Sequence, residues 1–142
     1  NGTPLFRLAG TRVAALFGRE LKGTGFFDLW TDPVGREEVM RLVGTVTQES
    51  AGAVVNFIGE TGAGERVQIE MVLLPLKHRG GTQARIMGAL SPLAMPTWFG
   101  FAPVVRLRTI SVRLIWPEGL LRNLASAVVR RARFVVHEGG LR

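Results

Sequence analysis

Cysteine is absent from the 142 residues. That excludes disulfides, thiolate metal sites, iron–sulfur clusters and a cysteinyl flavin adduct within this chain, and it fits a cytoplasmic protein. Histidine occurs only twice, at His78 in "LKHRGG" and His137 near the end, so no H-E-x-x-H or comparable metal spacing exists. Ser50, Ser91, Ser111 and Ser126 lack the context of a nucleophile elbow. Glu37 and Glu38 are adjacent, which on a helix sets their side chains about 100° apart and suits a solvated first turn better than paired acid–base work. Catalysis is therefore not expected. No apolar run approaches the roughly 18 residues of a membrane span, and no internal repeat or low-complexity segment is visible. The glycines of "RLAGTRVAALFGRELKG" form no phosphate loop: Gly10 and Gly18 stand eight apart, and Lys22 is followed by Gly23.

What is present describes one globular domain, with 46% hydrophobic and 20% charged residues. The first residue is Asn1 and not Met, as expected of a fragment or a processed chain. The net charge of +7 is unevenly spread. Residues 1–105 carry ten Lys/Arg and nine Asp/Glu, whereas residues 106–142 carry eight Arg and two Glu. Basic character belongs to the C-terminal quarter.

The pattern along the chain predicts an α+β fold. Leu5, Phe6 and Leu8 suggest a first strand. Thr11 can cap a short helix with Val13, Leu16 and Phe17 on one face, closed by Gly18, and a second turn through Glu20 and Leu21 stops at Gly23. Phe26, Phe27, Leu29 and Trp30 make a short helical turn before Asp32-Pro33, the N-cap and first residue of a longer helix. In that helix Val39, Leu42, Val43 and Val46 fall at i, i+3, i+4, i+7. The period then changes to two: "AVVNFIGE" and "ERVQIEMVLLPL" flank "TGAG" as a hairpin, with Val67, Ile69, Met71 and Leu73 on one face. "ARIMGALSPL" reads as a third strand and "PLAMPTWFGFAP" as a linker or strap. "VRLRTISVRLIW" reads as a further strand with Ile110, Val112, Leu114 and Trp116 on one face, and an Arg-rich helix follows Pro117.

Two stretches carry a resemblance. "FRLAGTRVAALFGRELKGTGFFDLW", together with "LLPL" at 73–76 and "GALSPL" at 88–93, resembles a bacterial PAS-like domain family, many members of which stand alone. The likeness covers roughly residues 5–100 and divides the chain into a PAS-like domain, 1–100, and a basic C-terminal extension, 101–142. It implies a sensory or interaction module in signalling, with an antiparallel sheet curved over helices and a cavity between them. Family members usually begin earlier, with a helix and the first strand, so the sheet edge here is expected to be incomplete, swapped, or filled by the strand at 105–116.

If a cavity binds a ligand, its candidate lining is Trp30, Met40, Val43, Asn56, Phe57, Ile69, Met71 and Met87; the same spacings also describe ordinary core packing. Asn56 would be informative if it faced inward, because a buried amide needs partners. The resemblance places a haem-ligating histidine on the longer helix, and residues 34–50 contain none, which argues against haem. Non-covalent flavin stays open. Arg106, Arg108, Arg113, Arg130, Arg131 and Arg133 form the second candidate site. Their Arg-rich segment suits a second copy of the chain, an anionic membrane surface or nucleic-acid phosphates, with a homodimer ahead of nucleic acid because few aromatics interleave with the arginines. A signalling partner would act by favouring one arrangement of the terminal segments. Removal of the chain beyond about residue 103 is expected to leave the fold intact and weaken self-association.

Overall fold

The computed structural model of the chain describes residues 3–76 and 85–117. His78, His137, the helix expected after Pro117, and Arg130, Arg131 and Arg133 lie outside the described residues. Helix α1 spans Thr11–Phe17, a single 3-10 turn spans Phe26–Leu29, and helix α2 spans Pro33–Glu49. Strands β1 (Gly52–Thr61), β2 (Arg66–Leu76), β3 (Arg85–Pro92) and β4 (Val104–Ile115) form one antiparallel sheet in the order β3-β2-β1-β4. The α+β expectation holds.

Local chemistry explains most of the boundaries. Asp32 caps α2 by accepting the Gly35 N–H at 2.6 Å, and Pro33, which has no N–H to leave unpaired, takes the first turn. Val39, Leu42, Val43 and Val46 are buried, and they are the stripe that the spacing predicts. α1 differs at its start: Thr11 is already helical and Gly10 is the N-cap, with no side-chain hydrogen bond. Its end is as expected, because Gly18 adopts φ 61° and its N–H reaches back to Ala15. A Cβ at Gly18 would also stand 2.7 Å from Pro103 Cβ, so the position is closed to other residues twice over. The turn expected through Glu20 and Leu21 is not helical, although Leu21 is fully buried. The expected first strand shrinks to one bridge, Leu5 with Gly25, flanked by hydrogen bonds from Phe6 to Thr24 and from Gly23 to Phe6.

In the sheet, alternation decides what is buried. Val67, Ile69, Met71 and Leu73 of β2 turn inward beside Val55 and Phe57 of β1, with α2 and the 3-10 turn across them. The hairpin turn places Gly64 at φ 83° and is held by Gly64 N–H to Thr61 O and Glu65 N–H to Thr61 Oγ1. Residues 93–103 run as a strap from the end of β3 to the start of β4, past α1.

β4 departs from regular alternation. Its register against β1 slips between Asn56/Phe57 and again between Glu60/Thr61, so two residues of β4 are extra. Ile110 is one of them. It is half exposed and does not share the inward face of Val112 and Leu114, and Trp116 lies beyond the end of the strand, which corrects the expected grouping. β4 also belongs to the core: Val104 and Leu107 are 4% and 1% exposed. A cut at residue 103 removes both side chains, so the expectation that the fold survives it is revised.

Candidate functional site

The first set of candidate residues divides when it is placed on the structure. Trp30, Val43, Phe57, Ile69 and Met71 converge between helix and sheet, where they pack against one another. Trp30 sits at the centre, its ring 5.4 Å from Phe26 and 5.5 Å from Phe57 in edge-on geometry. Phe6 continues the series through Phe26 at 5.6 Å, tying the N-terminal segment to the middle of the sheet. Met40, Asn56 and Met87 do not join them. Met40 is 48% exposed because it lies off the 39/42/43/46 stripe of α2, and Met87 is 54% exposed on the opposite face of the sheet. Asn56 points to that opposite face too and donates from Nδ2 to Ser111 Oγ at 3.3 Å, so it makes no inward-facing ligand contact.

One polar group remains in the packed space. Trp30 is 2% exposed, and its Nε1 is the buried side-chain polar atom without a hydrogen-bond partner among the described residues. A buried N–H left unpaired costs roughly 1–3 kcal/mol, a cost that a small acceptor beside it would offset.

The outer face of the sheet brings the second set together. Strand pairing aligns five rows across it. At one end Arg66, Glu60 and Arg106 stand abreast, followed by Gln68, Ile58 and Arg108, and then by Ser91, Glu70, Asn56 and Ser111. The next row holds Ala89, Val72, Val54 and Arg113, and the last Met87, Leu74, Gly52 and Ile115. The face grades from charged to apolar. Glu60 accepts from Arg66 Nε at 3.1 Å and pairs with Arg106 at 3.3 Å; both arginines are about two-thirds exposed, so each pair contributes at most ~1 kcal/mol. Arg108, opposite Ile58, completes a depression of about 240 Å³ with these residues.

The bulge at Ile110 creates this arrangement. In an unbroken strand Arg106 and Arg108, at even positions, would face away from Arg113, at an odd one. The extra residue between Thr109 and Ser111 shifts the alternation by one, and all three arginines reach the outer face. Sequence alone groups them by charge; only the β1 partner strand reveals that they share a surface. Arg66, Glu60 and Ser111 belong to that surface as well, and no motif marks them.

Among the described residues no group of His, Asp and Glu is placed to hold a metal ion, and no helix is long and apolar enough to cross a membrane. The segment from Phe6 to Gly23 turns out to be architectural: Leu16, Phe17 and Leu21 are buried and Gly18 abuts Pro103. The stretch "LLPL" ends β2, and "GALSP" lies in β3.

No curated protein and no solved structure matches the chain. A family model described as PAS domain matches residues 1–91, from the N-terminal segment through α1, α2, β1 and β2 to the end of β3. With more than half its length matched, an antiparallel sheet over short helices, and its resembling segments placed in the packing of that fold, the chain belongs to the PAS domain family, a family of sensory and interaction modules and not generally of enzymes.

Proposed function

We propose that this PAS domain acts by protein–protein interaction through the outer face of its sheet, and that its partner presents an amphipathic segment with acidic residues at one end. The observation that carries this reading is the bulged strand, which brings Arg106 and Arg108 to the charged end of the outer face and Arg113 to the same face beside its apolar rows. An acidic, partly apolar segment is complementary to both ends of that gradient. A small ligand between helix and sheet would have to part the contacts of Trp30, Phe57 and Ile69, so occupancy there is the lesser part of the reading. A homodimer and a signalling partner are both compatible with the surface.

The same arginines support a second reading, contact with nucleic-acid phosphates, because with Arg66 they make four basic groups on one face of the sheet. One experiment separates the two. The full chain and the R106E/R108E/R113E variant are titrated with an acidic amphipathic helical peptide, a neutral peptide of the same apolar pattern, and a labelled DNA oligonucleotide at about 50 mM salt. Protein recognition predicts binding of the acidic peptide alone, lost in the variant. Steeply salt-dependent DNA binding would move the conclusion to the second reading, and equal peptide binding by both proteins would overturn the use of this face.

A further inference from the structure

The depression on the outer face is lined by Ile58, Glu60, Arg66, Arg106 and Arg108, and its charges do not cancel. Glu60 is the only carboxylate in that lining, so three guanidinium groups leave a surplus of two positive charges. Glu60 also lies deeper than the arginines it holds, with a side chain 22% exposed against 67% for Arg66 and 65% for Arg106. Its oxygens are divided between them: Oε2 accepts from Arg66 Nε at 3.1 Å and Oε1 faces Arg106 Nη1 at 3.3 Å. One carboxylate thus steadies a guanidinium on either side of β1. A guanidinium has more donors than one carboxylate oxygen can take, and Arg108 has no carboxylate partner among the described residues.

This placement favours one kind of anion. Arg66 stands on β2, Arg106 and Arg108 on β4, and β1 runs between, so the guanidinium groups converge from strands about 10 Å apart. A planar carboxylate offers both its oxygens to a single fork. A tetrahedral phosphoryl group directs oxygens to both sides at once, and its charge of about −1.5 to −2 near neutral pH matches the surplus. The phosphodiester of a nucleic acid carries less charge and fewer free oxygens, and so leaves part of the surplus unmatched. Ile58, half-buried in the row between Gln68 and Arg108, gives apolar contact to the carbon atoms of a side chain that bears the phosphate.

We infer that this depression receives a phosphorylated side chain, carried at one end of the amphipathic partner segment that the outer face binds. The inference rests on the reading of that face given above and narrows its acidic end to a phosphomonoester. Arg66 and Arg106 take the phosphoryl oxygens from opposite sides, and Glu60 is the positioning residue that keeps their guanidinium groups apart. Arg108 supplies charge that no carboxylate among the described residues balances. An unmodified hydroxyl in the same place leaves that charge covered and unpaired, which disfavours the unphosphorylated segment. Recognition of the partner is thereby tied to its modification.

Three helical peptides of one apolar pattern test this, carrying phosphoserine, a pair of glutamates, or serine at the end that meets the arginines. The glutamate pair matches the phosphate in charge but not in shape. Each peptide is titrated by calorimetry into the full chain and into Arg108→Ala and Arg113→Ala, at about 0.15 M salt. Both arginines are exposed on the same face and only Arg108 lines the depression, so the two variants lose the same charge and should fold alike. The phosphoserine peptide should bind about tenfold more tightly than the glutamate peptide, as one further charge-assisted hydrogen bond supplies, with serine weakest. That preference should vanish in Arg108→Ala and persist in Arg113→Ala. Equal binding of the phosphoserine and glutamate peptides, or a preference lost equally in both variants, would overturn the inference. If the two acidic peptides bind equally and both are lost in R106E/R108E/R113E, the reading of the face survives without the phosphate; binding of none of the three overturns both.

Discussion

Phe57 and Ile58 are consecutive in β1 and face opposite ways. Phe57 is held by Trp30, Ile69 and the rest of the core, whereas Ile58 is half-buried in a depression rimmed by Arg66, Arg106 and Arg108. The same strands thus present two surfaces with different tolerances. Inward, each side chain fills a space that others define, and a change of one methylene is felt. Outward, charge and an apolar end are arranged in rows, and substitutions alter what the surface meets more than whether the chain folds.

The contrast can be broken most severely at β4, which serves both surfaces. Ending the chain at Pro103 should abolish cooperative thermal unfolding, because Val104 and Leu107 leave the core and β1 loses a partner; a cooperative transition in the truncated chain would show that β4 is an accessory. Phe57→Ala should lower stability by about 3–5 kcal/mol in chemical denaturation, as expected for a large aromatic at the centre of a packed cluster. A smaller loss is expected for Gly59→Ala, about 1–3 kcal/mol, since the added Cβ would stand 2.8 Å from Ile69 Cδ1 and 3.1 Å from Val104 Cγ1. The outward counterpart is Asn56→Ala, which removes a 3.3 Å side-chain bond to Ser111 at an exposed position. Its effect on stability should stay within about 0.5 kcal/mol, measured beside Phe57→Ala; a loss as large as that of Phe57→Ala would erase the distinction between the faces.

Much of the inner surface was legible in the sequence because it follows local periods. The Asp32-Pro33 start and the 39/42/43/46 stripe define α2 without reference to anything else, and the same stripe leaves Met40 outside. β2 announces its faces through Gln68 and Glu70 between Val67, Ile69 and Met71. β1 does not, since "AVVNFI" is apolar at both parities, and Asn56 could be placed only once its partners were known. Met87 has the same difficulty in "RIMGAL". The N-terminal segment has the composition of a strand but finds a partner at one residue, Gly25, and pairing is a property of two segments. The alternation expected across 110–116 failed for a similar reason: a bulge is set by the register with β1, and nothing in "RTISVR" marks the extra residue.

That extra residue means that part of this protein's specification lies in how many residues β4 has, not in which ones. Deleting Ile110 would leave every arginine in the chain and still turn either Arg113 or the pair Arg106 and Arg108 toward the core. Replacing Ile110 by Thr or Lys would keep the frame. When related chains are aligned, a gap at this position would therefore carry more meaning than a substitution, because one missing residue rewrites a whole surface while the composition hardly changes.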